Sequence, residues 1–240
     1  MAVTVSVVVP FYNEEENAPL LAEKIEHVFE ALPDYAYECV FVNDGSVDAT
    51  RAALDALAAR NPRIRAIHLR QNRGQSAALV AGLRRATGDL LVTLDGDLQN
   101  DPADIPAILA LLADHDCVCG YRANRRDTVT KRVSSRLANA VRQWAIGDGL
   151  RDTGCGLKGF RRKCVEHILP FNGVHRFIGA LMRMAGCSVV ECPVRHHPRV
   201  HGKSKYGIHN RLWRGIYDLF GVRWLQRRYV TFEVEGEDSR

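Results

Sequence analysis

The chain has 240 residues, 46% of them hydrophobic, and no repeat or low-complexity tract interrupts it, so it is long enough for one sizeable domain with its own core. No uncharged apolar run approaches the ~20 residues that a membrane-spanning helix needs. The amino terminus lacks the basic stretch of a signal peptide and runs directly into an apolar segment, so any membrane contact is expected to be peripheral.

Charge is divided along the chain. Residues 1–120 carry 9 Lys/Arg against 18 Asp/Glu, and residues 121–240 carry 24 against 10. The halves are therefore expected to face different partners. Nucleic acid, a phosphorylated substrate and an anionic membrane surface are all candidates for the basic half. Seven cysteines, with no CxxC pair and no histidines at zinc-finger spacing, point to reduced thiols in a cytosolic protein.

The first apolar run, residues 3–9, reads as a strand, and Pro10-Phe11-Tyr12-Asn13-Glu14 as the loop after it. The helix predicted over 14–31 places Leu21, Ile25, Val28, Phe29 and Leu32 on one stripe, the spacing of a helix lying on a sheet. A second strand near 37–42 leads into Asn43-Asp44-Gly45-Ser46-Val47-Asp48, which alone reads as a tight turn with a helix cap. A helix near 48–60, a strand near 64–69 and a helix near 75–86 follow. This alternation predicts an α/β protein, with a mainly parallel sheet and helices on both faces.

The fourth strand, near 89–94, has no alternation and reads as buried on both faces. It runs into Asp95-Gly96-Asp97-Leu98-Gln99, at the carboxyl edge where open α/β sheets bind ligands. Asp95 and Asp97 offer hard oxygen donors suited to Mg²⁺ or Mn²⁺ shared with a diphosphate, Gln99 adds a neutral oxygen, and Gly96 is expected to let the backbone turn and approach a ligand. The plain alternative is a solvated acidic turn, with Asp101 capping the helix that Pro102 begins. That helix spans 103–113, and a fifth strand lies near 116–119. The three loops together put an aromatic ring and three carboxylates on one rim, an arrangement that fits a nucleoside diphosphate.

Beyond the fifth strand Arg122, Arg125, Arg126, Lys131, Arg132 and Arg136 cluster, and the next helix carries Val133, Leu137, Ala140, Val141 and Trp144 on one face. Cations flanking an apolar stripe suit a lipid phosphate. Aromatic platforms of the kind that single-stranded nucleic acid needs are sparse here. Residues 195–206 combine cations with Gly202 and no apolar periodicity, which reads as a lid. His196, His197 and His201 within it fit no ordinary metal spacing. A helix over 209–228 mixes Leu212, Trp213, Ile216, Tyr217, Leu219, Phe220, Trp224 and Leu225 with arginines and reads as interfacial, or as packed on the domain or another subunit. The tail 229–240 begins like a strand that could pair across a homo-oligomer.

The ordered set PFYNEEEN, VNDGSVDAT, RQNRGQSAALVAGLRRATGD and LDGDLQNDP resembles the inverting family-2 glycosyltransferases of the GT-A (nucleotide-diphospho-sugar transferase, Rossmann-like) fold. LDGDLQNDP, GYRANRRD, GVHRFIGAL and RVHGKSKYG resemble, more narrowly, the polyprenyl-phosphate branch typified by dolichol-phosphate mannose synthases. The resemblance covers residues 3 to about 225. It implies a catalytic domain over 1–208, with a nucleotide-sugar half (1–120) and an acceptor half with lid (121–208). Pro10, Tyr12, Glu14 and Asp44 would border the nucleoside, with Gln75 beside them, and Asp95, Asp97 and Gln99 would hold the metal and diphosphate.

On the acceptor side the resemblance gives Arg122, Arg132 and Ser135 as phosphate ligands, with Lys131 beside them. Arg176 is a further anion ligand. Arg199, Lys203, Ser204 and Lys205 are the lid's contacts to the diphosphate. The catalytic set is Asp97, Asp152, Arg122 and Arg132. The implied reaction moves a sugar from a UDP- or GDP-sugar to a polyprenyl phosphate at the cytoplasmic face of a membrane, without nucleic acid. Transfer to a hydroxyl with Asp152 as general base is the alternative within the class, and a non-catalytic nucleotide-sugar or nucleic-acid binding module the alternative outside it. Asn43 departs from the family, standing where many relatives have an aspartate, which leaves base recognition resting more on Asp44. The branch also often continues into membrane helices beyond Trp224, where this chain has Gln226-Arg227-Arg228 and a short tail.

Overall fold

The computed structural model describes residues 3–123, 139–199 and 208–230. Lys131, Arg132, Ser135, His201, Lys203, Ser204, Lys205 and residues 231–240 of the tail lie outside the described residues.

Seven strands form one sheet in the order β3-β2-β1-β4-β6-β5-β7. They are β1 (Val3–Phe11), β2 (Tyr35–Asn43), β3 (Ile64–His68), β4 (Leu90–Thr93), β5 (Cys117–Arg122), β6 (Lys158–Arg161) and β7 (Val189–Val194). β1 pairs in parallel with both β2 and β4, and β5 with β7, whereas β6 runs antiparallel between β4 and β5. From β1 the chain winds outward through β2 and β3, then crosses to the other side of β1 to lay down β4. That reversal opens a crevice beyond the carboxyl ends of β1 and β4, where sheets of this kind take ligands.

The helices are α1 (Asn17–Glu30), α2 (Thr50–Arg60), α3 (Gln75–Arg85), α4 (Ile105–Leu111), α5 (helical over 139–146), α6 (Ile178–Met184) and α7 (Ile208–Gln226). The stripe predicted on α1 is buried at Leu21, Ile25, Val28 and Phe29 and packs with Leu54 of α2 and Ile105 and Ile108 of α4 against one sheet face. Ala78, Leu79 and Leu83 of α3 and Ile178, Leu181 and Met182 of α6 cover the other. Consecutive β1 residues Val7, Val8 and Val9 are all fully buried because the sheet is covered on both sides, so each is worth about 1.5–3 kcal/mol of apolar burial. A smaller cluster of Ile146, Phe177, Ala180, Leu219 and Val222 fastens α7 to α5 and α6.

The five strands and four helices expected in the first 122 residues are present, with boundaries shifted by up to three residues. Asp101 caps as expected: its Oδ1 accepts from the Ala103 amide at 3.0 Å, with Pro102 opening the turn. β6 carried no sequence signal, being four residues with charges at both ends. No helix among the described residues is long and apolar enough to cross a membrane.

Candidate functional site

Loops from β1, β2 and β4 converge on the crevice and are locked together. The Asn13 amide donates to Ser46 Oγ at 2.9 Å and the Val47 amide to Asn13 Oδ1 at 2.9 Å, with Asn13 itself left-handed at φ +52°. Asn43, the departure from the family pattern, is buried as the hinge of its turn: its Oδ1 accepts from the Ser46 amide at 2.9 Å. Asp44 is 2% exposed, and its carboxylate accepts from the Arg73 amide at 2.7 Å and from Asn72 Nδ2 at 3.0 Å. Burial pushes its carboxyl up despite these donors. Asn72 and Arg73 therefore set the orientation of Asp44, a role that only the RQNRG segment could have signalled.

A cavity of ≈ 300 Å³ joins these loops to the rest of the site. Pro10, Tyr12, Glu14, Asp44 and Gln75 line it together with Asp95, Asp97 and Gln99, and Arg122, Lys158, His175, Arg176 and Arg199 border it as well. Among the expected residues that are described, Asp152 alone does not line the cavity; it lies directly behind Arg122. Arg122 Nε and Nη2 fork onto its Oδ2 and Oδ1 at 2.6 and 2.8 Å, and the amides of Arg122 and Gly154 each add a donor at 3.2 Å.

The two carboxylates after β4 face different partners. Gln75 Nε2 donates to Asp95 Oδ1 at 2.7 Å, and Arg199 bridges the cavity, its Nη2 on Asp97 Oδ2 at 2.6 Å and its Nη1 on Glu14 Oε1 at 3.2 Å. The segment that carries Arg199 is strapped to the same loop, since the His197 amide donates to the Gln99 carbonyl at 2.9 Å and the His197 ring lies 3.0 Å from Asp101 Oδ2. The reach of Gln99 Nε2 to the His197 carbonyl is long, at 3.5 Å.

Gly96 corrects an expectation. A Cβ there would lie 2.7 Å from the Phe11 ring and 2.9 Å from the Pro10 carbonyl, so the glycine lets the loop pack on β1 where it borders the cavity. The left-handed turn falls at Leu98, φ +60°. Gly156 was missed: a Cβ there would come within 2.3–2.6 Å of the Asp95 carboxylate. Lys158 was missed too, a 4% exposed cation carried to the rim by the antiparallel course of β6, opposite Thr93. Its short polar strand gave no pattern to read.

Burial, then the charge of Asp97, pushes the Asp95 carboxyl up to about 6, against the pull of Lys158, Arg122 and Arg199. Two carboxylates that repel each other and offer hard oxygens fit a divalent Mg²⁺ or Mn²⁺. No group of three or more His, Cys, Asp or Glu among the described residues could by itself hold a metal.

The pH dependence follows with its sign. Because the native carboxyl of Asp95 is raised above its usual value of 3.8, the folded chain binds more protons than the unfolded one between about pH 4 and 6. Asp95 therefore favours the folded apo-protein as pH falls through that window. A metal needs the carboxylate, so Mn²⁺ affinity should be level above pH 7 and fall by up to about tenfold per unit below pH 6. Calorimetric Mn²⁺ titrations from pH 5 to 8 check this, and a flat affinity across the range would contradict it.

A family model described as glycosyl transferase family 2 matches residues 6–169. The chain is 40% identical over 217 residues to an undecaprenyl-phosphate 4-deoxy-4-formamido-L-arabinose transferase of Sodalis glossinidius, covering 90% of this chain and 66% of that one. It is 37% identical over 228 residues to a dodecaprenyl-phosphate galacturonate synthase of Rhizobium johnstonii, covering 92% and 67%. The chain thus spans about two thirds of the length of these curated relatives. Glucosyl-3-phosphoglycerate synthase from Mycobacterium tuberculosis shares the fold. Its complex with UDP superposes at a TM-score of 0.64 with 21% identity, over 95% of this chain and 82% of that one. Its complex with Mn²⁺, UDP and glucosyl-3-phosphoglycerate gives 0.65 and 22%, over 96% and 81%. These likenesses bear out the expected GT-A architecture.

Proposed function

As the chain belongs to glycosyl transferase family 2, we propose that it moves a sugar, with inversion, from a nucleoside diphosphate to a polyprenyl phosphate. One observation carries the reading: a single cavity runs from Tyr12 and Asp44, through the Asp95/Asp97 pair, to Arg122 and Arg176. The relatives named as undecaprenyl- and dodecaprenyl-phosphate sugar transferases support a lipid phosphate as the acceptor.

In this reading Pro10, Tyr12, Glu14 and Asp44 hold the nucleoside, while Gln75 fixes the Asp95 carboxylate. Asp95 and Asp97, with Gln99 beside them, hold Mg²⁺ or Mn²⁺, which when bound neutralises charge that builds on the departing diphosphate. Arg199 with Lys203 and Lys205 moves onto the diphosphate once the donor is seated, leaving its contact with Asp97. Arg122, with Lys131, Arg132, Ser135 and Arg176, takes the acceptor phosphate. One phosphate oxygen bonds to the anomeric carbon as the bond to the diphosphate breaks. The second pKa of a phosphate monoester is about 6, so the nucleophile is already dianionic at neutral pH and no general base is required. Asp152, with both oxygens on Arg122, orients that arginine and takes no proton.

The purified chain, incubated with Mg²⁺ or Mn²⁺ and a panel of UDP- and GDP-sugars, should form a glycosyl phospholipid from polyprenyl phosphate. Nucleotide release that is indifferent to polyprenyl phosphate would refute the reading.

The same reading makes the protein peripheral at the cytoplasmic face. Tyr217, Phe220 and Trp224 form one exposed face of α7, and Trp144 of α5 lies beside it with the Arg223 guanidinium 5.3 Å from its ring centroid. Aromatic rings at headgroup depth with arginines on anionic lipid are the chemistry of an interfacial helix. The double substitution Phe220→Ser and Trp224→Ser should weaken sedimentation with anionic vesicles at least tenfold; vesicle binding unchanged by it would count against this face.

A further inference from the structure

Arg176 ends a short 3₁₀ turn, Val174–Arg176, that begins after Gly173 in the left-handed region at φ +100°. Its guanidinium lies across one face of α7. Nη2 donates to Asp218 Oδ2 at 2.9 Å, and a Cβ built on Gly215, three residues earlier, would stand 3.6 Å from Nη1. At Gly173 a Cβ would fall 2.5 Å from Asp218 Oδ2 and 3.0 Å from Arg176 Nη2, so the ion pair occupies the space any side chain there would need.

The turn is also tied to the donor side. The Gly173 amide donates to Ser76 Oγ at 2.9 Å, and the same hydroxyl lies 2.8 Å from His175 Nδ1. Ser76 follows Gln75, the donor to Asp95. A continuous set of contacts thus joins the Asp95 carboxylate, the start of α3, the 173–176 turn and α7. Asp218 itself lies next to Tyr217, on the helix whose exposed face is aromatic.

We propose that Asp218 is a positioning residue for the acceptor: through its ion pair it holds the Arg176 guanidinium in the cavity, so that α7 completes the site for a lipid phosphate. This rests on the functional reading above. An arginine side chain has many rotamers to lose, and fixing it beforehand by a charge-assisted bond spares that loss when the phosphate binds. The pair is largely shielded from solvent, with Asp218 15% and Arg176 30% exposed, so screening leaves much of its strength. The helix that would meet the lipid surface then also aims a cation at the lipid's phosphate.

The test uses the full chain with Mn²⁺, a short-chain prenyl phosphate as acceptor probe and UDP or GDP as donor probe, with binding read by calorimetry and transfer by KM and kcat. Asp218→Asn should weaken prenyl phosphate about tenfold, in binding and in acceptor KM, the loss of one hydrogen bond to a charged group. Nucleotide affinity and kcat at saturating acceptor should stay within about twofold, and Asp218→Glu should recover part of the loss. In an Arg176→Ala background Asp218→Asn should add nothing, since its effect acts through that arginine. Wild-type protein that fails to bind prenyl phosphate overturns the functional reading and this inference with it. Wild-type binding with an unchanged Asp218→Asn, equal losses of nucleotide and acceptor, or full additivity with Arg176→Ala overturns this inference alone.

Discussion

Asp97→Ala is expected to abolish metal-stimulated transfer, with a loss of at least ~10²–10³-fold, the scale set by removing one group that stabilises a developing anion. The residual rate should be the same with and without chelator. Asp97→Asn should be as inactive as the alanine variant, because what matters is the second negative charge and not the shape of the side chain. Neither should unfold the protein. Burial first, and the Asp97 charge second, push the Asp95 carboxyl up to about 6, so removal of that charge relieves repulsion and should let Asp95 titrate lower. The loss of the Arg199 contact at 2.6 Å offsets part of that gain. Chelator-resistant turnover in the wild-type chain would end the metal assignment, and so would undiminished Mn²⁺ binding by Asp97→Asn.

Why these carboxylates were legible in the sequence, and their surroundings were not, has a physical basis. Val7, Val8 and Val9, like Leu91 and Val92, are runs buried on both faces, and continuous hydrophobicity announces a covered parallel strand. The stripe on α1 announces the sheet beneath it. A loop at the end of such a strand is confined to one rim, so the sequence alone brings the chemistry of Tyr12, Asp44 and Asp95 together. Gly156 and Lys158 escaped because their roles depend on β6 running backwards between β4 and β5, a pairing decided by register with distant strands and not by local pattern. Asp218 escaped for the same reason: its partner is 42 residues away, and on its own helix it is one charge among arginines. Gly96 was read as the residue at which the loop turns; the left-handed position is Leu98, and only the packed structure brings the Phe11 ring against the glycine.

Arg122→Ala and Asp152→Asn separate the two chemistries open to the acceptor side. Among the described residues, the Arg122 fork and the amides of Arg122 and Gly154 donate to the two oxygens of Asp152. Removing Arg122 takes the two-armed fork from an 8% exposed carboxylate. Arg122→Ala should therefore cost about 1.5–3 kcal/mol of stability, measurable as a lowered urea midpoint, and should weaken the acceptor at least ~10²-fold through the lost fork to phosphate. Asp152→Asn presents an amide NH₂ to one arm of the guanidinium, which turns Arg122 from its place. With a phosphate acceptor the result is a raised acceptor KM, while kcat at saturation stays within about tenfold, because no proton has to leave the nucleophile. With a hydroxyl acceptor Asp152 would be the base, and its amide variant should lose ~10²–10⁴-fold in kcat at unchanged acceptor affinity. The pH profile gives an independent reading. At Mn²⁺ concentrations that saturate the site at every pH, so that protonation of Asp95 does not limit the rate, a rate with the phosphate acceptor that falls as pH drops through about 6 follows the second ionisation of the acceptor, and Asp152→Asn should leave that limb in place. Loss of the limb in the variant would return the proton to Asp152 and the acceptor to a hydroxyl.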